Sequence, residues 1–168
     1  MLPKSMAKKK AIRKIKKSKR GFTLVELLVV VAIIGLMIAV ALVALNSARA
    51  KARDARRVND IRQIQIALER YYIDAGSYPI GNNVLLGTPP GTIGNCLDSN
   101  GFSTNCSGII YEARIPSNPT PTNDGDCPAS GYYYNSTDPN TTYTIQYCIG
   151  TATGSLSAGL HSATPTGL

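Results

Sequence analysis

The chain has 168 residues, enough for one domain with short additional segments. Its formal net charge is +8, but ten of the 18 lysines and arginines lie in residues 1–20, where there is no acidic residue. Residues 22–168 carry 8 basic and 10 acidic residues, a net charge of −2. The positive charge therefore belongs to a short N-terminal arm, which argues against a basic nucleic-acid-binding domain.

A long apolar segment follows this arm. Residues 22–45 read FTLVELLVVVAIIGLMIAVALVAL, and Glu26 is their only charged residue. As a helix they would be about 36 Å long, enough to cross a hydrocarbon core of about 30 Å, and the basic arm predicts a cytoplasmic N-terminus. The alternative is a cleaved signal peptide with a weak site in SARA, residues 47–50. The apolar segment is longer than the usual 7–15 residues or so of such peptides, which favours the membrane helix.

The helical pattern continues beyond the apolar segment. Small and apolar residues recur in steps of three and four up to Ala75, Gly76 offers a C-cap, and Pro79 cannot continue a helix. One helix is therefore predicted from Phe22 to about Ala75. Its predicted buried stripe is Ala48, Ala52, Ala55, Val58, Ile61, Ile64, Leu68, Tyr71 and Ala75, with the opposite face polar.

The remaining residues, 76–168, form the predicted head. Only 15 of these 93 residues are Ile, Leu, Val or Phe, so the head needs the helix stripe and disulfides to fold. Residues 131–136 and 142–150 read as an antiparallel hairpin, residues 154–165 as a short edge strand, and residues 77–130 as a loop-rich connector. The predicted fold is α+β: a long N-terminal transmembrane spine helix with a small loop-rich antiparallel β head packed on its C-terminal half.

Four cysteines lie in the head, at Cys96, Cys106, Cys127 and Cys148. An even number outside the cytoplasm predicts two disulfides, and three pairings are open. The sequential pairing, Cys96–Cys106 and Cys127–Cys148, is favoured because it closes the shorter loops. A zinc site is the alternative, but it requires cysteines two to four residues apart, and these lie ten or more apart.

The stretch KRGFTLVELLVVVAIIGLMIAVAL resembles the N-terminus of type IV pilins and type II secretion pseudopilins, and DIRQIQIALERYYIDAGSYP is similar to the end of their spine helix. The resemblance implies that a prepilin peptidase cuts after Gly21 and methylates the amine of Phe22. It makes Glu26 the fifth residue of the mature chain. The predicted domains are a leader (1–21), a transmembrane half-helix (22–45), an amphipathic half-helix (46–75) and the head (76–168).

The resemblance implies a structural subunit of an extracytoplasmic helical filament, a type IV pilus major pilin. A carboxylate deep in lipid costs about 2.5–3.5 kcal/mol, so Glu26 is expected to pair with the Phe22 amine of a neighbouring subunit. In the alternative, Glu26 is a helix-start residue at the lipid interface. Two other functions stay open: a pseudopilin of a type II secretion or DNA-uptake system, and a single-pass membrane-anchored binding protein that does not polymerise.

The expected partners are further copies of the chain, the prepilin peptidase, an inner-membrane assembly platform and membrane lipid before assembly. DNA binding is not indicated. The expected location is the cytoplasmic membrane with a cytoplasmic N-terminus, followed by a cell-surface or periplasmic filament.

No enzymatic site is predicted, because the single histidine, His161, lies among small polar residues and no catalytic spacing accompanies it. Calcium is the one cofactor that the head could hold. Asp124 and Asp126 lie one residue apart, Asp138 follows, and calcium binds six to eight oxygen ligands. The loop is similar in this respect to the calcium loop of major secretion pseudopilins, and the alternative is a solvated turn.

Overall fold

The computed structural model describes residues 21–87, 92–128, 131–137 and 141–168. It contains one long helix, α1, over Leu24–Ala75, followed by seven short strands. The strands are β1 (Gly81–Leu86), β2 (Cys96–Asp98), β3 (Gly101–Ser103), β4 (Ile110–Glu112), β5 (Tyr132–Ser136), β6 (Thr144–Ile149) and β7 (Gly159–Ala163). The α+β prediction is confirmed, and the helix begins two residues later than Phe22.

The chain divides into two compact units, Met1–Ala41 and Leu42–Leu168. In the first unit, the described residues are 21–23 and the start of α1, and their apolar side chains are exposed; Phe22, for example, is 75% exposed. By length and composition, α1 is the one helix among the described residues that is able to cross a membrane, and signal sequences meet the same criterion. Residues 1–20, which form most of the predicted leader, lie outside the described residues.

The second unit contains a four-stranded antiparallel sheet in the order β1-β5-β6-β7. The predicted hairpin is β5 and β6, paired through Tyr133–Gln146, Tyr134–Ile145 and Asn135–Thr144. The predicted edge strand is β7, which pairs with β6 from Ile145–Ala163 to Ile149–Gly159. The sequence located these strands because Tyr, Thr and Ile alternate between turn-forming segments.

The core of this unit lies between the sheet and the second half of α1. Ile61, Ile64, Leu68 and Tyr71 are buried on the helix, as the stripe predicted. They belong to one hydrophobic cluster with buried sheet residues, namely Tyr132, Tyr134, Ile145, Tyr147 and Ile149, together with Tyr143 just before β6. Tyrosine supplies much of this core because its ring is apolar while its hydroxyl can bond at the rim. The hydroxyl of Tyr134, for instance, donates to the Pro79 carbonyl at 2.7 Å.

The predicted stripe is only partly right outside Ile61–Tyr71: Val58 packs against the core, but Ala75 is exposed. Ala52 and Ala55 are not buried, whereas Asp54, Arg57 and Asp60 are. Periodicity missed these charged residues because it assumes that buried positions are apolar. Here the burial is compensated by ion pairs and hydrogen bonds with the head.

The prediction of a loop-rich connector over residues 77–130 is also wrong in part. It contains β1, at the edge of the large sheet, and a second antiparallel sheet in the order β3-β2-β4. The strands of the small sheet have three residues each, too short for an alternating pattern to be recognised. Among the described residues, both disulfides have the sequential pairing, Cys96–Cys106 and Cys127–Cys148.

The end of α1 follows the sequence prediction. Gly76 adopts a φ of 74°, in the left-handed region, and its N–H donates to the Tyr72 carbonyl at 2.8 Å. Glycine reaches this conformation without the steric cost of a Cβ atom, so the helix terminates where the sequence changes from apolar-periodic to turn-forming.

Candidate functional site

The start of α1 is a complete capping box formed by Thr23 and Glu26. The Glu26 carboxylate accepts hydrogen bonds from the Thr23 N–H at 3.0 Å and from the Thr23 hydroxyl at 2.9 Å. In return, the Glu26 N–H donates to the Thr23 hydroxyl oxygen at 3.3 Å. This reciprocal arrangement satisfies two backbone donors that a helix N-terminus otherwise leaves unpaired.

The capping box gives Glu26 a partner within its own chain. Sequence reasoning considered Glu26 without Thr23, although the signal was present as T-x-x-E immediately before an apolar run. Glu26 is thus a helix-start residue in the single chain. Its predicted pairing with the amine of another subunit would have to replace or share these bonds.

Gly21 and Phe22 lie immediately before the capping box, in non-helical backbone. No described atom other than those of its chain neighbours lies within 4 Å of the position that a Cβ on Gly21 would occupy, and Phe22 is largely exposed. The Gly21–Phe22 bond is therefore unobstructed by the rest of the described chain, as cleavage at this bond would require.

A second cluster, here called the arginine clamp, joins α1 to the head. It consists of Arg53, Asp54 and Arg57 on the helix and Asp124 in the loop between β4 and β5. Arg57 is fully buried. Its guanidinium donates to Asp54 at 2.5 Å, Asp124 at 2.9 Å, Asn118 at 2.8 Å and the Pro121 carbonyl at 3.1 Å.

The other members complete the charge balance of the clamp. Arg53 donates hydrogen bonds to both carboxylate oxygens of Asp124, at 2.6 Å each. Asp54 accepts the N–H groups of Gly150 and Thr151, both at 2.9 Å, and the Thr151 hydroxyl at 2.7 Å. Two cations and two anions are thus paired and hydrogen-bonded, which is the condition for burying charge in a protein interior.

The clamp shifts the pKa values of its acids. The hydrogen bond from Arg53 is the main cause that lowers the pKa of Asp124, with further lowering by Arg57. Burial alone would raise the pKa of Asp54, but hydrogen bonds from Thr151, Gly150 and Arg57 outweigh it and lower that pKa. Burial raises the pKa of the neighbouring Asp60, which accepts a hydrogen bond from the Tyr132 hydroxyl at 3.0 Å.

The loop that carries Asp124 fits closely against the end of β6. A Cβ atom on Gly125, whose φ is 54°, would come within 2.1 Å of the Gly150 carbonyl oxygen. Glycine at this position lets the two backbones approach. The Cys127–Cys148 disulfide then holds the same two segments together, so the loop is fixed by backbone contact, covalent bond and ion pair.

The structure gives Asp124 a role other than the predicted calcium ligand. Both of its carboxylate oxygens accept hydrogen bonds from arginine. A calcium ion bound here would be repelled by the two neighbouring guanidinium groups. Asp126 is exposed, and Asp138 lies outside the described residues. In the parts of the chain that the structure covers, no group of three or more histidine, cysteine or acidic residues is arranged to hold a metal ion.

The exposed apolar segment and its capping box coincide with a known family signature. Residues 16–44 match the family model described as the prokaryotic N-terminal methylation motif. The chain carries a prepilin-type methylation motif. The resemblance to type IV pilins and secretion pseudopilins is confirmed for this region, and Gly21, Phe22 and Glu26 all lie within the motif.

Several curated proteins are similar to part of this chain. A fimbrial protein of Neisseria meningitidis serogroup B is 38% identical over 68 residues, covering 40% of this chain and 39% of that protein. A type IV major pilin protein PilE1 of Neisseria gonorrhoeae is 35% identical over 75 residues, covering 44% and 46%. The type II secretion system core protein G of Escherichia coli K12 is 38% identical over 66 residues, covering 39% and 46%.

The match spans less than half of each of these relatives. No solved structure matches the chain at a significant level. The matched relatives are named as fimbrial, pilin or secretion-system proteins.

Proposed function

We propose that the chain is a structural subunit of an extracytoplasmic helical filament, a type IV pilus major pilin. One observation carries the proposal: the exposed apolar segment, residues 22–45, contains a single charged residue and lies, except for Leu45, within a methylation motif. These side chains are exposed among the described residues, so they need lipid or other apolar helices as an environment. Membrane insertion followed by helix packing in a filament supplies both environments in turn.

Processing creates the assembly contact in this proposal. A prepilin peptidase cuts between Gly21 and Phe22 and methylates the new amine. The Glu26 carboxylate of a subunit already in the filament then attracts the Phe22 amine of the incoming one, since opposite charges interact strongly at low dielectric. The capping box supports this order of events. Thr23 donates two hydrogen bonds to the Glu26 carboxylate before assembly, and the amine, as a charged donor, then forms a stronger hydrogen bond.

Before assembly, the subunit spans the cytoplasmic membrane once, with its N-terminus in the cytoplasm. Ten basic residues before Gly21 favour this orientation. The head then lies outside the cytoplasm, where disulfides persist. The proposed partners are further copies of the chain, the prepilin peptidase, an inner-membrane assembly platform and lipid; the filament is on the cell surface or in the periplasm.

Two alternatives remain. The first is a pseudopilin of a type II secretion or DNA-uptake system, favoured by the match to a type II secretion core protein over nearly the same length as the pilin matches. The second is a single-pass membrane-anchored binding protein that never polymerises. None of these roles requires a cofactor, and we assign no calcium to Asp124 because arginine occupies its carboxylate.

The test combines intact mass with imaging of filaments. The native protein should lack residues 1–21 and carry one N-methyl group on Phe22. Cells that express the chain should show filaments that are missing when the chain is deleted. A processed chain with no surface filament at any expression level would favour the pseudopilin, and a chain left uncut or cut near Ala50 would exclude both filament roles.

A further inference from the structure

A groove rich in arginine lies beside α1, close to the end of its apolar segment. Its volume is about 540 Å³. It is lined on one side by helix residues and on the other by the loop after β4, namely Arg49, Ala52, Arg53, Arg56, Ser117, Asn118, Pro119 and Thr120. Guanidinium groups bordered by small polar residues suit a phosphate group, which arginine can bind through paired N–H donors.

The arginines of the groove differ in the charge that they leave available. Arg53 is paired through two 2.6 Å hydrogen bonds with Asp124, so its charge is compensated. Arg49 is exposed and forms no ion pair with the residues that the structure describes. Arg56 is 66% exposed, and its contact with Asp60 is at the outer limit of 4.0 Å. Arg49 and Arg56 therefore leave positive charge available for an anion.

The position of the groove along the helix points to the source of that anion. The apolar segment ends at Leu45, and a rise of 1.5 Å per residue puts Arg49 about 6 Å and Arg56 about 16 Å further along. The headgroup layer of a leaflet is about 5–8 Å thick. The Cα–Cβ bonds of a helix tilt toward its N-terminus, and long arginine side chains extend to reach phosphates, so Arg49 lies within reach of such a layer. Arg56, whose Nε is 4.0 Å from Asp60 on its C-terminal side, would give up this weak contact and turn back toward the layer on binding.

We propose that Arg49 and Arg56 bind the phosphodiester headgroup of an anionic lipid while the subunit is in the membrane. The proposal rests on the proposed membrane insertion of residues 22–45. A nucleic acid presents the same phosphodiester chemistry, but the groove adjoins the apolar segment, where lipid is the neighbour. A bound headgroup would fix the depth and rotation of the subunit until assembly removes it from the bilayer.

The experiment uses the full chain in lipid nanodiscs, and phenylglyoxal, which modifies accessible arginine side chains. One set of discs contains phosphatidylcholine alone, and another contains phosphatidylglycerol as well. Peptide mass spectrometry then reads the modification of each arginine separately, so the basic arm on the other side of the disc does not interfere. Arg70, an exposed arginine further along α1, is the internal control.

In phosphatidylglycerol discs, the modification of Arg49 and Arg56 should slow about fivefold, as expected for one basic side chain at an anionic surface. Arg70 should be modified equally in both kinds of disc. If the modification of Arg70 slows equally, the protection comes from general attraction to the anionic surface and not from the groove, and the proposal is overturned. Unchanged modification of Arg49 and Arg56 in an inserted chain would overturn it alone; a chain that does not enter discs would overturn membrane anchoring as well.

Soluble anions separate the sources of phosphate. Millimolar inorganic phosphate or a DNA duplex, added to phosphatidylcholine discs, should protect Arg49 and Arg56 much less than phosphatidylglycerol does. Equal protection by inorganic phosphate would identify a soluble-anion site, and equal protection by DNA a nucleic-acid surface; either result overturns the lipid proposal.

Matched variants test whether both arginines hold one headgroup. Arg49→Gln should abolish most of the lipid protection of Arg56, whereas Arg70→Gln, with the same change of charge, should leave it intact. Undiminished protection of Arg56 in Arg49→Gln would contradict a shared site.

Discussion

The two halves of α1 reverse the usual relation between polarity and burial. The first half is almost entirely apolar, and its side chains are exposed, for example Leu24 at 79%. The second half is rich in charge, yet Asp54 and Arg57 are fully buried. A charged residue can be buried when the same chain supplies its partners. An apolar segment that is exposed among the described residues needs a further apolar environment, which the proposed function supplies as lipid or another subunit.

The carboxylates of Asp54 and Glu26 differ in the same way, in whether the folded head supplies their partners. Asp54 has all of its partners in one folded unit, from Arg57 to the backbone of Gly150 and Thr151. Among the described residues, Glu26 has only the local partner Thr23, one turn away. The clamp thus bears on the stability of the folded head, whereas the N-terminal site, in the proposed function, bears on association between subunits. Four predictions test this division.

The largest expected effect is loss of assembly in Glu26→Gln. The substitution keeps the shape of the side chain and removes its charge, so an incoming Phe22 amine would remain unpaired in an apolar filament core. Membrane insertion should persist, because it no longer includes the cost of a charge in lipid. The measurement compares sheared filaments with processed subunit in the membrane. Glu112→Gln, the same change in the head, is the control, and normal filament yield from Glu26→Gln would refute charge pairing.

The next largest effect is expected from Arg57→Ala. Removal of the guanidinium leaves the buried Asp54 carboxylate without its cationic partner, whereas Asp124 keeps its pair with Arg53. Loss of one partner of a buried ion pair destabilises a protein by about 3–5 kcal/mol. Arg56→Ala, at a largely exposed position on the same helix, should change stability by less than about 0.5 kcal/mol. Denaturant unfolding of the detergent-solubilised chain, followed by near-UV dichroism of its nine tyrosines, measures both. A similar loss of unfolding free energy in the two variants would show that the clamp does not stabilise the head.

A smaller effect is expected from acid. The pKa values of Asp54 and Asp124 are lower in the folded chain than their ordinary value of 3.8. Their contribution to stability is therefore present above about pH 4 and is lost as the pH falls through the lowered values, at about 1.4 kcal/mol for each pKa unit. The raised pKa of Asp60 acts in the opposite direction and weakens the acid effect.

Asp124→Asn provides the check on this pH dependence. The difference in unfolding free energy between the natural chain and Asp124→Asn should be largest near pH 7 and shrink below pH 4, because protonation neutralises Asp124 in the natural chain as well. A difference that does not change with pH would show that the ionised carboxylate of Asp124 is not the source of the stabilisation.

The smallest effect is expected from Thr23→Val, which removes the hydroxyl of the capping box. Loss of an N-cap costs about 1 kcal/mol, confined to the first turn of α1. Amide hydrogen exchange at residues 24–27 should quicken about fivefold in detergent, with the melting temperature of the head unchanged. Thr23→Ser should preserve the slow exchange. Slow exchange in Thr23→Val would mean that the capping box does not hold the helix start.

The sequence predicted the elements whose signals are local. The apolar segment, the C-cap at Gly76, the β5–β6 hairpin and the edge strand β7 each follow from the spacing and type of neighbouring residues, and the structure contains all of them. The sequential disulfides were favoured from loop length alone, and they are present. The capping box was equally local, since Thr23 and Glu26 are three residues apart, and its signal was readable.

Tertiary structure alone decided the arginine clamp. Arg57 and Asp124 are 67 residues apart, and no local pattern distinguishes a buried arginine from an exposed one. The predicted buried stripe did not include Asp54 or Arg57, and the closeness of Asp124 to Asp126 in the sequence made Asp124 a candidate calcium ligand. Which charges are buried depends on which partners the fold brings within hydrogen-bond distance, because burial of a charge is favourable only when that partner is already in place.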